Sequence, residues 1–194
     1  SNGLSDNNVR CLAVDSSGFL WVGTADGLNM YDGYTVVTYS RKQEKNLASN
    51  NIVHLTVDKL NQIWIGTSQG VNFLDGNRKF NLVTLNDSIK KFECASIFQT
   101  STYGIVLYTS LGQFYFDSSI NKWKKLDWVP ASLDFVHFLD AQPFDRDQII
   151  FCTGNSVTIL DYGKRKIVFE AAKELAVSAC GNNASKKKDA GTKS

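Results

Sequence analysis

Asp15-Ser16-Ser17-Gly18-Phe19-Leu20-Trp21-Val22-Gly23-Thr24-Ala25-Asp26-Gly27-Leu28-Asn29-Met30-Tyr31-Asp32-Gly33 returns 43 residues later, without a gap, as Asp58-Lys59-Leu60-Asn61-Gln62-Ile63-Trp64-Ile65-Gly66-Thr67-Ser68-Gln69-Gly70-Val71-Asn72-Phe73-Leu74-Asp75-Gly76. The correspondence extends upstream, where Leu4-Ser5-Asp6-Asn7-Asn8-Val9 answers Leu47-Ala48-Ser49-Asn50-Asn51-Ile52. Self-similarity at a fixed period of this length marks an architecture in which each repeat is one supersecondary unit. Two weaker copies follow: Gly104 to Thr109 precedes Gly112 to Asp117, and Gln148 to Thr153 precedes Ser156 to Asp161. The closing aspartates Asp32, Asp75, Asp117 and Asp161 are spaced by 43, 42 and 44 residues, so four units of nearly constant length run along the chain.

Each unit reads as four short strands. In the first these are Val9 to Val14, a strand around Trp21, one before Asp32 and a fourth from Thr35 to Tyr39. Apolar residues nowhere recur with helical periodicity. Short strands bounded by Gly, Asn and Asp turns, at a period of about 40 to 45 residues, are the signature of propeller blades. Central runs such as Ile105-Val106-Leu107 and Ile149-Ile150-Phe151 are almost continuously apolar, as suits a sheet covered on both faces. Gly18, Gly27 and Gly70 fall at hairpin turns that call for φ > 0. Trp21, Gly23 and Gly27 recur as Trp64, Gly66 and Gly70, and recurrence assigns these residues to packing.

The expected fold is therefore all-β: about four four-stranded antiparallel β-propeller blades plus the start of a fifth, spanning residues 1–181. The repeats are placed at about 3–45, 46–86, 87–128 and 129–170, with a partial one at 171–181. Lys166 to Phe169 is a further strand candidate, and Leu175 to Cys180 falls where the first strand of a fifth blade is due. An array with an open end exposes a blade face, which self-association or the remaining blades of a longer parent would cover.

The totals agree with a folded, water-soluble chain. Over 194 residues and 21.6 kDa the hydrophobic fraction is 43%, the charged fraction 21% and the mean hydropathy -0.20, which excludes both disorder and an integral membrane protein. No run approaches the roughly 18 apolar residues of a membrane span, and no charged segment followed by an apolar one opens the chain. The formal charge is +2, but Lys186, Lys187, Lys188 and Lys193 sit in a polar tail at 182–194. The rest of the chain is close to neutral, so no nucleic-acid partner is expected, and the tail reads as solvated and disordered.

Candidate chemistry is mostly excluded. Cys11, Cys94, Cys152 and Cys180 are scattered, with only His54 and His137 to complete a metal site, so neither metal nor cofactor is expected. Cys11 and Cys152 lie in apolar runs that suit buried free thiols. Gly66-Thr67-Ser68-Gln69-Gly70 matches the nucleophile-elbow pattern G-x-S-x-G, which requires a strand-to-helix turn. Here the segment joins two strands, and its counterpart has Ala25 in place of the serine, so no catalytic residue is assigned. The acidic stretch from Asp140 to Asp147 lacks the glycine and closing glutamate of a calcium loop and reads as a solvated hairpin.

Leu-x-x-Asn-x-Val, Asp-x-x-Gly-x-Leu-Trp-Val-Gly-Thr and Gly-Leu-Asn-x-Tyr-Asp-Gly, as they stand in the first unit, closely resemble the two-component regulator propeller repeat. The resemblance is specific over residues 3–76 and weakens over 87–161, where Trp-x-Gly-Thr becomes Val106-Leu107-Tyr108-Thr109 and Ile150-Phe151-Cys152-Thr153. It implies a fragment of a seven-bladed propeller from the periplasmic sensor region of a Bacteroides-type hybrid two-component histidine kinase. It further implies that the region senses an oligosaccharide or similar nutrient and controls a phosphorelay and transcription. No kinase ATP site, phosphoacceptor histidine context or helix-turn-helix occurs in this chain, so those steps belong to parts it does not contain.

If these blades hold the sugar, its rings want exposed aromatics with Asp, Asn or Arg beside them. Trp123 and Trp128 lie outside the recurring strand positions and are the candidate stacking residues, with Tyr103, Asp127 and Arg146 as neighbours. The competing reading packs both tryptophans against an adjacent blade. Two other functions remain in play: a propeller enzyme of the antibiotic-lyase type, against which two unpaired histidines count, and a non-catalytic scaffold for another protein.

Overall fold

The computed structural model describes residues 3–86, 88–130, 133, 135, 136 and 138–172, and these form sixteen strands in four separate sheets. The first sheet comprises β1 (Val9–Val14), β2 (Leu20–Thr24), β3 (Gly27–Tyr31) and β4 (Val36–Tyr39). The second holds β5 (Ile52–Val57), β6 (Ile63–Thr67), β7 (Gly70–Leu74) and β8 (Phe80–Leu82). The third holds β9 (Cys94–Thr100), β10 (Gly104–Thr109), β11 (Gly112–Asp117) and β12 (Lys122–Lys125). The fourth holds β13 (Phe138–Asp145), β14 (Gln148–Thr153), β15 (Ser156–Asp161) and β16 (Lys166–Ala172). Every pairing is antiparallel and joins consecutive strands, so each sheet is a four-stranded meander, the unit of a propeller blade. β16 runs past the expected Phe169 to Ala172, while Leu175 to Cys180 and the tail at 182–194 lie outside the described residues.

The first strand of each blade is innermost. β1 contacts β5, β5 contacts β9 and β9 contacts β13, so the blades fan outward from a shared axis. Between consecutive blades lie three dry clusters. Trp21, Leu28 and Met30 of the first blade meet Ile52, Ile63, Ile65 and Leu74 of the second. Trp64 and Val71 of the second meet Cys94, Ile97, Ile105 and Leu107 of the third. Phe98, Val106 and Tyr108 of the third meet Ile149, Phe151, Leu160 and Tyr162 of the fourth.

Each recurring residue has a mechanical task. The Asp15 carboxylate accepts the backbone N–H groups of Ser17 (2.9 Å) and Phe19 (3.0 Å) with one oxygen and the Trp21 indole N–H (3.0 Å) with the other. Asp58 repeats this with Leu60, Gln62 and Trp64 at 2.9, 2.8 and 2.9 Å. The threonine that ends the second strand donates its hydroxyl across the next hairpin in all four blades: Thr24 to the Gly27 carbonyl, Thr67 to Gly70, Thr109 to Gly112 and Thr153 to Ser156. The closing aspartates cap the turn into the fourth strand, as Asp32 does for Tyr34 and Thr35 and Asp75 for Asn77 and Lys79. Asn29 and Asn72, both buried, tie down the segment ahead of their own blade by accepting the N–H of Ser5 and Ala48, each at 2.8 Å.

Gly23 and Gly66 have a steric reason. A Cβ at Gly23 would stand 2.5 Å from Cys11 Sγ and 2.6 Å from Ile52 Cγ2, and one at Gly66 would stand 2.8 Å from Cys94 Sγ. At the turn where the first blade has Gly18, at φ +83°, the second has Asn61, at φ +59°. Asparagine is a residue that tolerates the left-handed region, so the turn survives without glycine.

Two substitutions test this frame. Asp15→Ala leaves the buried Trp21 N–H and two turn amides without an acceptor and is expected to destabilise by about 2–3 kcal/mol in denaturant unfolding, while Lys59→Ala stays within about 0.5 kcal/mol. Gly66→Ala is expected to destabilise by about 1–3 kcal/mol through overpacking, and by less in a Cys94→Ala background that gives the new methyl room.

Candidate functional site

The first blade interface is sealed at its outer edge and the second is not. Tyr39, opposite Leu28 on β3, lays its ring 6.1 Å from Trp21 and 5.5 Å from Phe80, and the Arg78 guanidinium sits 4.7 Å over Phe19. In the second blade the position opposite Val71 is Val83, whose N–H donates to the Val71 carbonyl. A valine is too short to cover Trp64 as Tyr39 covers Trp21. What remains is a cleft of about 370 Å³ lined by Trp64, Phe73, Tyr103, Ile105, Phe116 and Trp123, with Gln62 at its side. Phe116 is 41% exposed there, although its counterpart Leu74 in the second blade is 1% exposed.

The rings are set by one another. Phe73 stacks on Trp64 at 4.9 Å, and Trp123 stands edge-on to Trp64 at 6.0 Å and to Phe116 at 5.6 Å. A concave aromatic surface with Gln62 and Tyr103 among its lining residues suits a flat apolar face that also carries hydroxyls.

The expected site residues divide between two hollows. Trp123 and Tyr103 line the cleft together. Tyr103 also borders a second hollow of about 270 Å³ with Tyr115, Asp127, Trp128 and Arg165. The sequence places Trp123 outside the recurring strand positions; it belongs instead to β12 opposite Phe116, the place that Phe80 takes opposite Leu74. It is half-buried for that reason. Trp128 is also half-buried, its ring 5.3 Å from Tyr162, so both tryptophans pack on a neighbouring blade. Arg146 lines neither hollow and sits in the β13–β14 turn, where its carbonyl accepts the Ser101 N–H at 3.1 Å. Sequence reasoning missed Phe73 and Phe116, which alternate within repeated strands and are brought to the cleft by register; Tyr34, 93% exposed in the β3–β4 turn, lines neither hollow.

The innermost strands enclose an axial groove of about 470 Å³ whose polar lining includes Arg10, His54, Gln99, Asp140 and Gln142. Burial pushes the His54 pKa down, against the opposing pull of the Ile97 carbonyl and the Asp140 charge. Asp140 and Asp145 lie in β13 and Asp147 in the following turn, where it accepts the Thr102 N–H at 2.8 Å. The acidic stretch is thus mostly strand, and no metal-holding group of three such side chains occurs among the described residues. His137 and Cys180 lie outside the described residues. Ser68 sits in the β6–β7 hairpin 3.3 Å from the Ser49 hydroxyl. Cys11, Cys94 and Cys152 are free thiols; burial pushes Cys11 up to about 12 and Cys94 higher.

Residues 3–26 and 46–69 match the family model for the two component regulator propeller. A 43-residue stretch is 46% identical to Histidine kinase P4 of Formosa agariphila, covering 22% of this chain and 3% of that protein. The fold is similar to the extracellular domain of a hybrid two component system from B. thetaiotaomicron, with a TM-score of 0.68 and 21% identity over 86% of this chain and 25% of that one. It is also similar to virginiamycin B lyase from Staphylococcus aureus, with a TM-score of 0.58 and 10% identity over 87% of this chain and 56% of that one. At these identities the likeness establishes the propeller fold, and the chain spans a quarter of the two-component extracellular domain. No helix among the described residues is long and apolar enough to cross a membrane.

The groove histidine makes stability depend on pH. Because its folded-state pKa lies below the unfolded value, the unfolded chain takes up the proton more readily, so the contribution is present above about pH 6.5 and is lost on acidification. His54→Gln is expected to lessen the fall in urea midpoint between pH 7 and 5.5, and the His54 imidazole resonances to titrate below 6.5.

Proposed function

We propose, from the two-component regulator propeller repeats that the chain carries, that it forms part of the extracytoplasmic sensory input of a hybrid two-component histidine kinase. On this reading it lies on the periplasmic side of the inner membrane and is not itself an enzyme. The kinase activity, the phosphorelay and control of transcription belong to the longer parent. The observation that carries this reading is the pair of repeat matches at residues 3–26 and 46–69, supported by the fold likeness to the extracellular domain of a two-component system.

The ligand is an oligosaccharide held in the cleft between the second and third blades. Trp123 and Phe116 offer faces and edges to the C–H side of a sugar ring, while Gln62 and Tyr103 take hydroxyl hydrogen bonds. Trp128, Asp127 and Arg165 around the neighbouring hollow extend the surface toward a second sugar unit.

Thermal unfolding against a panel of plant, host and microbial oligosaccharides tests this. One glycan class is expected to raise the melting temperature saturably, since a ligand at 100 times its Kd stabilises the folded state by about 2.7 kcal/mol. Trp123→Ala should abolish the shift, and Tyr34→Ala, an exposed aromatic away from the cleft, should preserve it. A folded sample that responds to no glycan, or a shift that survives Trp123→Ala, overturns the assignment of the cleft.

A further inference from the structure

The indole N–H groups of the two repeat tryptophans each meet a carboxylate: Trp21 donates to Asp15 at 3.0 Å and Trp64 to Asp58 at 2.9 Å. Trp128 differs. Its ring packs edge-on to Tyr162 at 5.3 Å, and its N–H is buried with no acceptor. A buried donor without a partner costs the desolvation of the group, so such donors are rare in a folded chain. Among the described residues one other buried side-chain N–H lacks an acceptor, Gln113 Nε2, and it belongs to the same region. Gln113, whose Oε1 accepts the Tyr162 hydroxyl, lines a hollow of about 350 Å³ that shares Lys125, Leu126 and Asp127 with the hollow beside Trp128.

The charges around these donors point the same way. Lys124 and Lys164 are paired, with Asp117 at 2.8 Å and Asp161 at 3.3 Å. Lys125 and Arg165, which both line the Trp128 hollow, meet no carboxylate among the described residues. Asp127, itself exposed, is the single carboxylate among the residues lining that hollow, so cations outnumber anions there. N–H donors without acceptors beside unpaired cations are what a carboxylate requires of its site.

We propose that the hollow between the third and fourth blades takes a carboxylate of the ligand, which does for Trp128 what Asp15 and Asp58 do for Trp21 and Trp64, and that the oligosaccharide is therefore a uronate-bearing one. The proposal rests on the reading of the neighbouring cleft as a glycan site, because Tyr103 lines both cleft and hollow and joins them into one track. One sugar unit lies against Trp123 and Phe116, and the next presents its carboxylate to Trp128, Lys125 and Arg165. Since the indole N–H is buried, the carboxylate meets it as the half-buried ring turns toward the hollow, a movement that tryptophan emission reads.

Calorimetric titration with oligogalacturonate, hyaluronan and alginate oligomers, each beside its carboxyl-reduced neutral counterpart, is the test. One uronate oligomer is expected to bind with a change in tryptophan emission, and its reduced counterpart to bind about tenfold more weakly or less. Trp128→Phe keeps a ring against Tyr162 and removes the donor; it should weaken the uronate by about tenfold and leave the reduced counterpart unchanged. Lys125→Gln should do the same while reducing the salt dependence of binding, and carries the test should Trp128→Phe lose its fold. Equal affinity for a uronate and its reduced form overturns the proposal, as does a loss in Trp128→Phe that both forms share, which means packing alone. Attraction to the lysines at 186–188 and 193 would survive both substitutions and overturns it too. A neutral glycan that outbinds every uronate and is lost in Trp123→Ala overturns this proposal and leaves the cleft reading standing, whereas a folded chain that binds no glycan overturns both.

Discussion

One aspartate carboxylate, shared between a turn and a tryptophan, is the constraint on which the first half of this molecule rests. In Asp15 and again in Asp58 one oxygen closes the hairpin between the first and second strands, and the other takes the indole N–H of Trp21 or Trp64. The same charge therefore fixes where the second strand begins and how the largest ring of the blade is turned. That ring is a wall of the contact with the next blade, so a local turn sets an inter-blade packing surface. Where the third blade has Val106 in place of the tryptophan, Thr100 stands in place of the aspartate, and its hydroxyl satisfies only the Tyr103 N–H.

The weaker blades compensate with aromatic contacts. Tyr108 meets Phe138 at 4.8 Å and Phe151 at 5.8 Å, and Phe98 meets Phe151 at 5.7 Å and Tyr162 at 5.5 Å, nearly all of them edge to face. Such pairs contribute about 0.5–1.5 kcal/mol each beyond the area they bury. Their fixed geometry replaces the orientation that the carboxylate gives Trp21. The fourth blade can therefore keep the repeat's shape while losing its signature.

That substitution is also why the sequence was legible unevenly. The second strand of every blade ends in a threonine and the third ends at or just before an aspartate, both with capping tasks, and those residues survive even where the tryptophan does not, so their strands can be read directly. The fourth strand has no such marker. Its register also slips: Phe80 pairs with Leu74 as Val36 pairs with Tyr31, a spacing of 44 residues where the rest of the repeat keeps 43. The residues at this position, Val36, Phe80 and Trp123, are also unlike one another, so nothing in the letters marks Trp123 as standing at the Phe80 position. The axial groove was hidden for another reason, since Arg10, His54 and Asp140 lie far apart in sequence and meet only because the first strands converge.

The cleft has its origin in how a repeat satisfies its own surfaces. A strictly repeated array seals every interface alike, as Tyr39 seals the first, and leaves nothing for a ligand to fill. A cleft opens where one copy departs from the rule, and Val83 in the place of Tyr39 is that departure. Its consequence is mechanical as well as chemical, because the cleft's walls belong to two blades: Trp64 and Phe73 to the second, Phe116 and Trp123 to the third. A ligand touching both walls stabilises whichever angle between those blades gives it the better contacts. Differential contact of that kind is the minimum a sensor requires, since a ligand shifts an equilibrium only by as much as it distinguishes the two states.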